Sequence, residues 1–408
     1  MNTPTMSPYF LAVFYRLTST LISQVRNPSL ALPFLLLSGF AMQFLAYWKF
    51  GIFSGYDTPF YIESANALLE GHFPEDRGKW YLGYIALLAF LEQLGYEAHR
   101  VVYIQSGLSL LAIYAIYRLT YRLSRDYLPA FMATAFYIGW IELHQWNLVI
   151  YTDAVFTSLC IIGFAAFYLS EKKPAKTASL LLLLLAMMFR PTGIGIALAL
   201  LAYAGSWFLL RYPEWQKPQR SLPWILAVGL LVLVGINFLF QDYVPWFLET
   251  YATAEIVYPK HSFGIDTAQD AYIPSESWPP LLRIALYILG NPLYFAKLFF
   301  VKLLFFLGHL RPYYSTPHNV GIVLTLYPIY FFAARGVREV RDLKARSFIV
   351  CFLLIQTLIV SMTSTNWDGR FLLPLLPYMF ILAGLGIWAR LKNPKLFGQD
   401  ESFMSIKK

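Results

Sequence analysis

Long leucine-rich runs, separated by short basic segments, set the pattern of this chain. They lack the period-two alternation of strands and predict membrane-spanning helices at roughly 30–48, 101–119, 128–142, 153–170, 177–189, 191–210, 222–241, 319–334, 347–363 and 371–389. In hydrocarbon each backbone group must be hydrogen-bonded by protein, and a helix achieves this within one segment. The expected fold is therefore an all-α polytopic membrane protein with about 10 (10–12) transmembrane helices and interfacial helices on the outer face.

Two apolar stretches do not fit a simple series of crossings. The run Trp80–Leu94 is about 15 residues long, short of the roughly 20 that a bilayer of about 30 Å requires. If it stays on one side, Arg118, Arg122, Arg125, Lys172, Lys173, Lys176, Arg211, Lys217 and Arg220 all fall in cytoplasmic loops, as the positive-inside rule demands. The segment 242–318 begins polar and turns apolar over Leu281–Leu310, with a Gly290-Asn291-Pro292 break. It must cross an even number of times, because the loop Arg335–Arg346 is also basic, and zero is the simpler reading. Both termini are then cytoplasmic.

Four parts follow: a cytoplasmic interfacial segment 1–29, a transmembrane module 30–241 with a first outer loop 49–100, an outer segment 242–318, and C-terminal spans with a tail, 319–408. An interfacial helix is expected over Tyr9–Ser23. The first apolar run lacks a small-residue cleavage site after it and reads as a retained span, not a signal peptide.

Within the first outer loop, residues 53–71 (FSGYDTPFYIESANALLEG) predict a short amphipathic helix on the membrane surface. Thr58-Pro59 is a good start and Gly71 a good stop. Tyr61, Ala65, Leu68 and Leu69 share one face, and Glu63, Asn66 and Glu70 the other, with Asp57 at the water edge.

Composition agrees with the membrane reading: 58% of residues are hydrophobic and only 13% charged. The net charge of +9 comes from lysines and arginines in short loops, where it orients the chain and builds no nucleic-acid face. Cys160 and Cys351 sit in apolar runs and imply neither disulfide nor zinc.

On this topology Asp57, the segment Glu142–Asp153, Arg190 and the Asn366–Arg370 turn meet on the outer face. Asp57 and Asp153 each have a structural explanation as helix-start acids. Arg190 and Arg370 could instead extend to lipid head groups, although an arginine in a short apolar hairpin usually meets a partner or a substrate. His72, His144, His261, His309 and His318 show no metal-ligand spacing and read as surface or interface residues. Lys297, Lys302 and Arg311 are candidate contacts to lipid phosphates.

These pieces resemble the integral-membrane glycosyltransferases of the GT-C superfamily, the group of the protein O-mannosyltransferases and the lipid A aminoarabinose transferase. The resemblance lies in Gly55-Tyr56-Asp57-Thr58-Pro59-Phe60-Tyr61 with Ala65, Leu68 and Gly71, in Tyr151–Phe156, in Phe189-Arg190-Pro191-Thr192-Gly193, and in Arg370-Phe371 with Pro374, Pro377 and Gly384. It implies Asp57 as catalytic base and a polyprenyl-phosphate sugar donor on the non-cytoplasmic side. Many members carry a second acid beside the loop aspartate, where this chain has Thr58, and some carry a large soluble C-terminal domain that it lacks.

The chemistry suits the residue types. Sugar transfer from a lipid phosphate to a hydroxyl needs a carboxylate to take the proton and cations to receive the leaving phosphate. Asp57 is the candidate base and Asp153 a second acid. Arg190 and Arg370 are candidate phosphate clamps, with Tyr61, His72, Lys297 and Arg311 as further substrate contacts. A divalent cation, Mg or Mn, is compatible but not required. The acceptor is a lipid, glycan or protein hydroxyl, and the expected location is a bacterial inner membrane with the site facing the periplasm. Two rivals stand beside this reading: a polymerase or ligase of polyprenyl-linked polysaccharide, and a transporter or flippase of lipid-linked sugars.

Overall fold

The computed structural model describes residues 24–392 apart from 240, 260 and 269. The helix expected over Tyr9–Ser23 and the tail lysines Lys395, Lys407 and Lys408 lie outside the described residues. Of the described residues 78% are helical. Among the described residues strand is limited to Val257–Tyr258 (β1) and Thr365–Asn366 (β2), paired in parallel. The all-α polytopic class therefore holds.

The helices are α1 (Pro28–Phe50), α2 (Thr58–Leu69), α3 (Leu82–Gln93), α4 (Val101–Ser124), α5 (Tyr127–Gly139), α6 (Ile141–Trp146), α7 (Thr152–Leu169), α8 (Lys173–Ala186), α9 (Ile194–Arg211), α10 (Pro218–Leu239), α11 (Val244–Ala252), α12 (Pro280–Gly290), α13 (Pro292–Gly308), α14 (Thr316–Glu339), α15 (Leu343–Met362) and α16 (Leu376–Leu391). Their starts follow capping chemistry. The side chains of Asn27, Asp126 and Asp342 accept hydrogen bonds from backbone N–H groups in the first turns of α1, α5 and α15.

Among the described residues six helical stretches are long and apolar enough to cross a membrane: Pro28–Phe50, Ala98–Ser124, Thr152–Leu169, Pro191–Arg211, Thr316–Glu339 and Leu343–Met362. The run read as non-crossing becomes α3, whose 12 residues reach only about 18 Å at 1.5 Å per residue. The apolar half of the segment 242–318 becomes α12 and α13, which meet at 104° across Asn291.

Successive helices run between two ends of the bundle. At one end Arg26 pairs with Asp126, which also accepts from the Trp388 indole, and Tyr168 donates to Asp342. The basic loops lie at this end, and Asp57, Arg190 and Arg370 lie at the other. The two ends are held apart by close packing. Gly336 on α14 and Gly386 on α16 cross so tightly that a Cβ on either would strike the backbone of the facing helix, an approach that glycine alone permits. Phe164 of α7 stacks on Phe348 of α15 at 3.8 Å.

Residues 244–308 carry an apolar core of their own, formed by Val244, Phe247, Tyr251, Val257, Tyr287 and Leu298. The β1–β2 pair ties this unit to the turn that precedes α16, and Trp367 N–H donates to the Tyr258 carbonyl at 3.1 Å.

Candidate active site

Three connections are pinned together at the end opposite the basic loops. The first joins residues 51–58 to 147–151. Phe53 N–H donates to the Leu148 carbonyl, and the Thr58 hydroxyl donates to Ile150 at 3.1 Å while accepting from Gly55 N–H at 2.9 Å. Buried Gln105 holds the second strand of this pair. Its amide donates to the Asn147 and Val149 carbonyls at 2.8 Å, and its oxygen accepts from Tyr84 at 3.0 Å.

The second connection is the break between α8 and α9. Single turns at Met187–Phe189 and Pro191–Gly193 flank Arg190, which is itself extended. Pro191 disfavours helix at the residue before it, which is why the helix stops at Arg190. Gln356 of α15 anchors the break by donating to the Thr192 carbonyl at 2.6 Å.

The third connection is the 366–370 turn. Gly369 takes φ 71°, and the Asp368 carboxylate accepts from Arg370 N–H at 3.1 Å. A residue with a Cβ would be strained there.

The charged side chains of these connections form one cluster. Arg370 reaches Asp57 at 3.2 Å, and Asp153 and Asp368 at 4.0 Å each. Arg190 hydrogen-bonds Asp153, and both are buried. Arg77, from the turn before α3, lies 3.7 Å from Asp57 and over the Phe60 ring at 4.0 Å. Three carboxylates thus face three guanidinium groups. Arg77 is the exposed cation, with 59% of its side chain open against 11% for Arg370 and 7% for Arg190. The Arg370 guanidinium also lies over the Tyr151 ring at 4.6 Å.

Tyrosines close the other side. Tyr61 packs edge-on against Tyr81, Tyr84 and Tyr151 at 5.2–5.7 Å between centroids, and the Tyr151 hydroxyl accepts from Asp57 N–H at 2.6 Å. Burial pushes the Tyr61 and Tyr81 phenols up, so both stay neutral. Burial likewise raises the Asp368 carboxyl, against the opposing pull of Arg370. At Arg370 itself burial favours loss of the charge, but Asp368, Tyr61, Tyr151 and Asp57 outweigh it and raise its pKa.

The structure brings together Asp57, Asp153, Arg190, Arg370 and Tyr61. Asp57 stands at the N-cap of α2, but its side chain makes no capping hydrogen bond; Asp153 lies in the first turn of α7, where a carboxylate also favours the helix dipole. Arg190 does not extend to head groups: it is 6% exposed and turned to Asp153. The other expected contacts do not join the ionic cluster, although Arg311 touches the Asn366 carbonyl at the start of the 366–370 turn at 3.5 Å. His72 is exposed just past α2, and Lys297 is exposed on α13. Arg311 is buried and donates to the Phe305 and Leu310 carbonyls at 2.6 and 3.0 Å, which makes it a backbone anchor. Lys302, also buried, donates to Thr250 and the Thr363 carbonyl. On α2, Leu69 is exposed and does not share the buried face of Tyr61 and Ala65.

Two histidines differ from the surface reading. His144 is fully buried against the Ile138 carbonyl, and burial lowers its pKa to about 4. His309 is 1% exposed and hydrogen-bonds Glu142. Sequence reasoning gave no role to Arg77, Asp368 or the Glu142–His309 pair. Asp368 adjoins Arg370 in the turn already singled out and Glu142 opens the segment 142–153 singled out with it, but nothing local marks Arg77 or the pairing of Glu142 with His309.

α13 and α14 line an open apolar groove of about 530 Å³, with Leu303, Leu307, Leu310, Tyr327 and Tyr330 among its walls and no residue of the ionic cluster. The chain matches no known family model, and no curated protein sequence matches it. Fold and hydropathy define a multi-pass all-α membrane protein with a buried ionic cluster at one end.

Proposed function

We propose that this chain is a membrane glycosyltransferase that moves a sugar from a polyprenyl-phosphate donor to an acceptor hydroxyl on the non-cytoplasmic side. About ten helices cross in this reading, the basic end faces the cytosol, and the membrane is a bacterial inner membrane. The observation that carries the reading is the placement of Asp57, a carboxylate that makes no capping hydrogen bond, 3.2 Å from Arg370 beside the Asp153–Arg190 pair.

At rest the cluster is balanced by its own carboxylates. An incoming phosphate competes with Asp57 for Arg370, whose planar fork suits phosphate oxygens. That exchange releases the Asp57 carboxylate. The acceptor oxygen then bonds to the anomeric carbon, its proton passes to Asp57, and the carbon–oxygen bond to phosphate breaks with its electron pair on the phosphate. Arginine charge stabilises that leaving group. The groove between α13 and α14 offers an apolar bed for the donor's isoprenoid chain. The test is to incubate purified protein with a panel of polyprenyl-phosphate sugars, with and without EDTA, and to measure lipid-phosphate release. Release from none of them would remove the reading.

The charge balance also favours one second reading, a gate whose ion pairs open for a lipid-linked sugar that is moved, not modified. Transport into proteoliposomes without sugar transfer would select it over the first.

A further inference from the structure

Glu142 and His309 are 167 residues apart in the chain and in contact in the fold. Glu142, in the first turn of α6, accepts from His309 Nε2 at 3.2 Å and from the Trp140 indole at 3.2 Å, with His318 Nε2 at 3.7 Å. Burial alone would raise its pKa, but His309, Trp140 and His318 outweigh burial and lower it. His309 follows α13 in the left-handed region at φ 57°, a conformation uncommon outside glycine, although histidine adopts it more readily than most residues. Its ring lies against Gly369 so closely that a Cβ there has no room. Its Nδ1 is buried without a hydrogen-bond partner. Glu142 is therefore the polar tether that fixes a ring wedged under the turn carrying Arg370.

We propose that Glu142 and His309 are positioning residues whose clasp holds the Gly369–Arg370 turn against the Asp57 cluster. Its kinetic consequence rests on the proposed function; its structural consequence does not. The clasp acts on Arg370 through Gly369 and leaves Arg190, which is anchored through Asp153 and the Gln356–Thr192 bond, untouched.

The test compares wild type with Glu142→Ala, His309→Asn and the double variant in detergent. Asparagine accepts the left-handed backbone but is too short to reach Glu142. Phenylglyoxal modification of Arg370 and Arg190 is followed by mass spectrometry. Arg370 should label about fivefold faster in each single variant, and in the double no faster than in His309→Asn alone, because Glu142 acts on the turn only through the His309 ring. Glu142→Gln keeps an acceptor oxygen and should recover most of the protection. Unchanged Arg370 labelling, parallel labelling of Arg190, or additive single effects would overturn the clasp. In the transfer assay Glu142→Ala should raise KM for the donor with kcat within about twofold, and a fall in kcat alone would count against it. If wild type transfers no sugar, the glycosyltransferase reading fails, while the labelling still decides the clasp.

Discussion

Replacing Asp153 with asparagine removes one charge from the most deeply buried ion pair in the cluster. The Asp153 and Arg190 side chains are 2% and 7% exposed, so solvent screens them little. In the variant the Arg190 guanidinium stays in apolar surroundings, between the Phe371 and Phe156 rings at 5.1 and 5.9 Å. Arg370, which approaches the same carboxylate at 4.0 Å, loses an opposing charge as well. Breaking a buried pair from one side costs about 3–5 kcal/mol. In a chain of this size that lowers the apparent Tm by roughly 3–6 °C, measured by tryptophan fluorescence in detergent at a fixed scan rate. The double variant Asp153→Leu with Arg190→Met leaves no stranded charge and should melt within about 2 °C of wild type, yet show no transfer. A single variant as stable as wild type would refute the reasoning, and so would a double variant as unstable as the single.

Three further outcomes follow from the same geometry. Arg370→Lys keeps the charge but not the fork, and should weaken donor binding about tenfold with little change in Tm, read from KM. Gly369→Ala forces a Cβ into the left-handed region against the His309 ring and should cost about 1–3 kcal/mol in thermal unfolding, whereas Gly321→Ala, in open space on α14, should be nearly silent. Asp368 has a raised folded pKa, so the folded state binds more protons and stability falls as pH climbs from the ordinary aspartate value of about 3.9 to the raised one. Asp368→Asn keeps the acceptor for Arg370 N–H and should flatten the Tm profile across that window; an unchanged profile would exclude Asp368 as its source.

Helix positions were legible in the sequence because burial in lipid leaves a signal in every residue of a run. The span expected over 30–48 is α1, which runs two residues further at each end, and the apolar stretch too brief to cross is the short α3. The meeting of Asp57 with Arg190 and Arg370 was legible for a different reason: topology alone places loops of one parity at one end. Side-chain partners carried no such signal. Nothing around Arg77 distinguishes it from other loop arginines, and its role as the exposed cation depends on the fold of the 76–81 turn. The burial of His309 depends on a turn from the far end of the chain closing over it. The backbone role of Arg311 carried no signal either, because the carbonyls that it satisfies belong to a helix end whose geometry no local pattern reveals.

The central claim is that the Asp57 carboxylate takes the acceptor proton during sugar transfer, and Asp57→Asn in the purified lipid-phosphate release assay tests it most directly. The Asp57 side chain makes no capping hydrogen bond and is partly open to solvent, so the account predicts a kcat lower by about 100-fold or more with Tm unchanged. Transfer by this variant at the wild-type rate would contradict it.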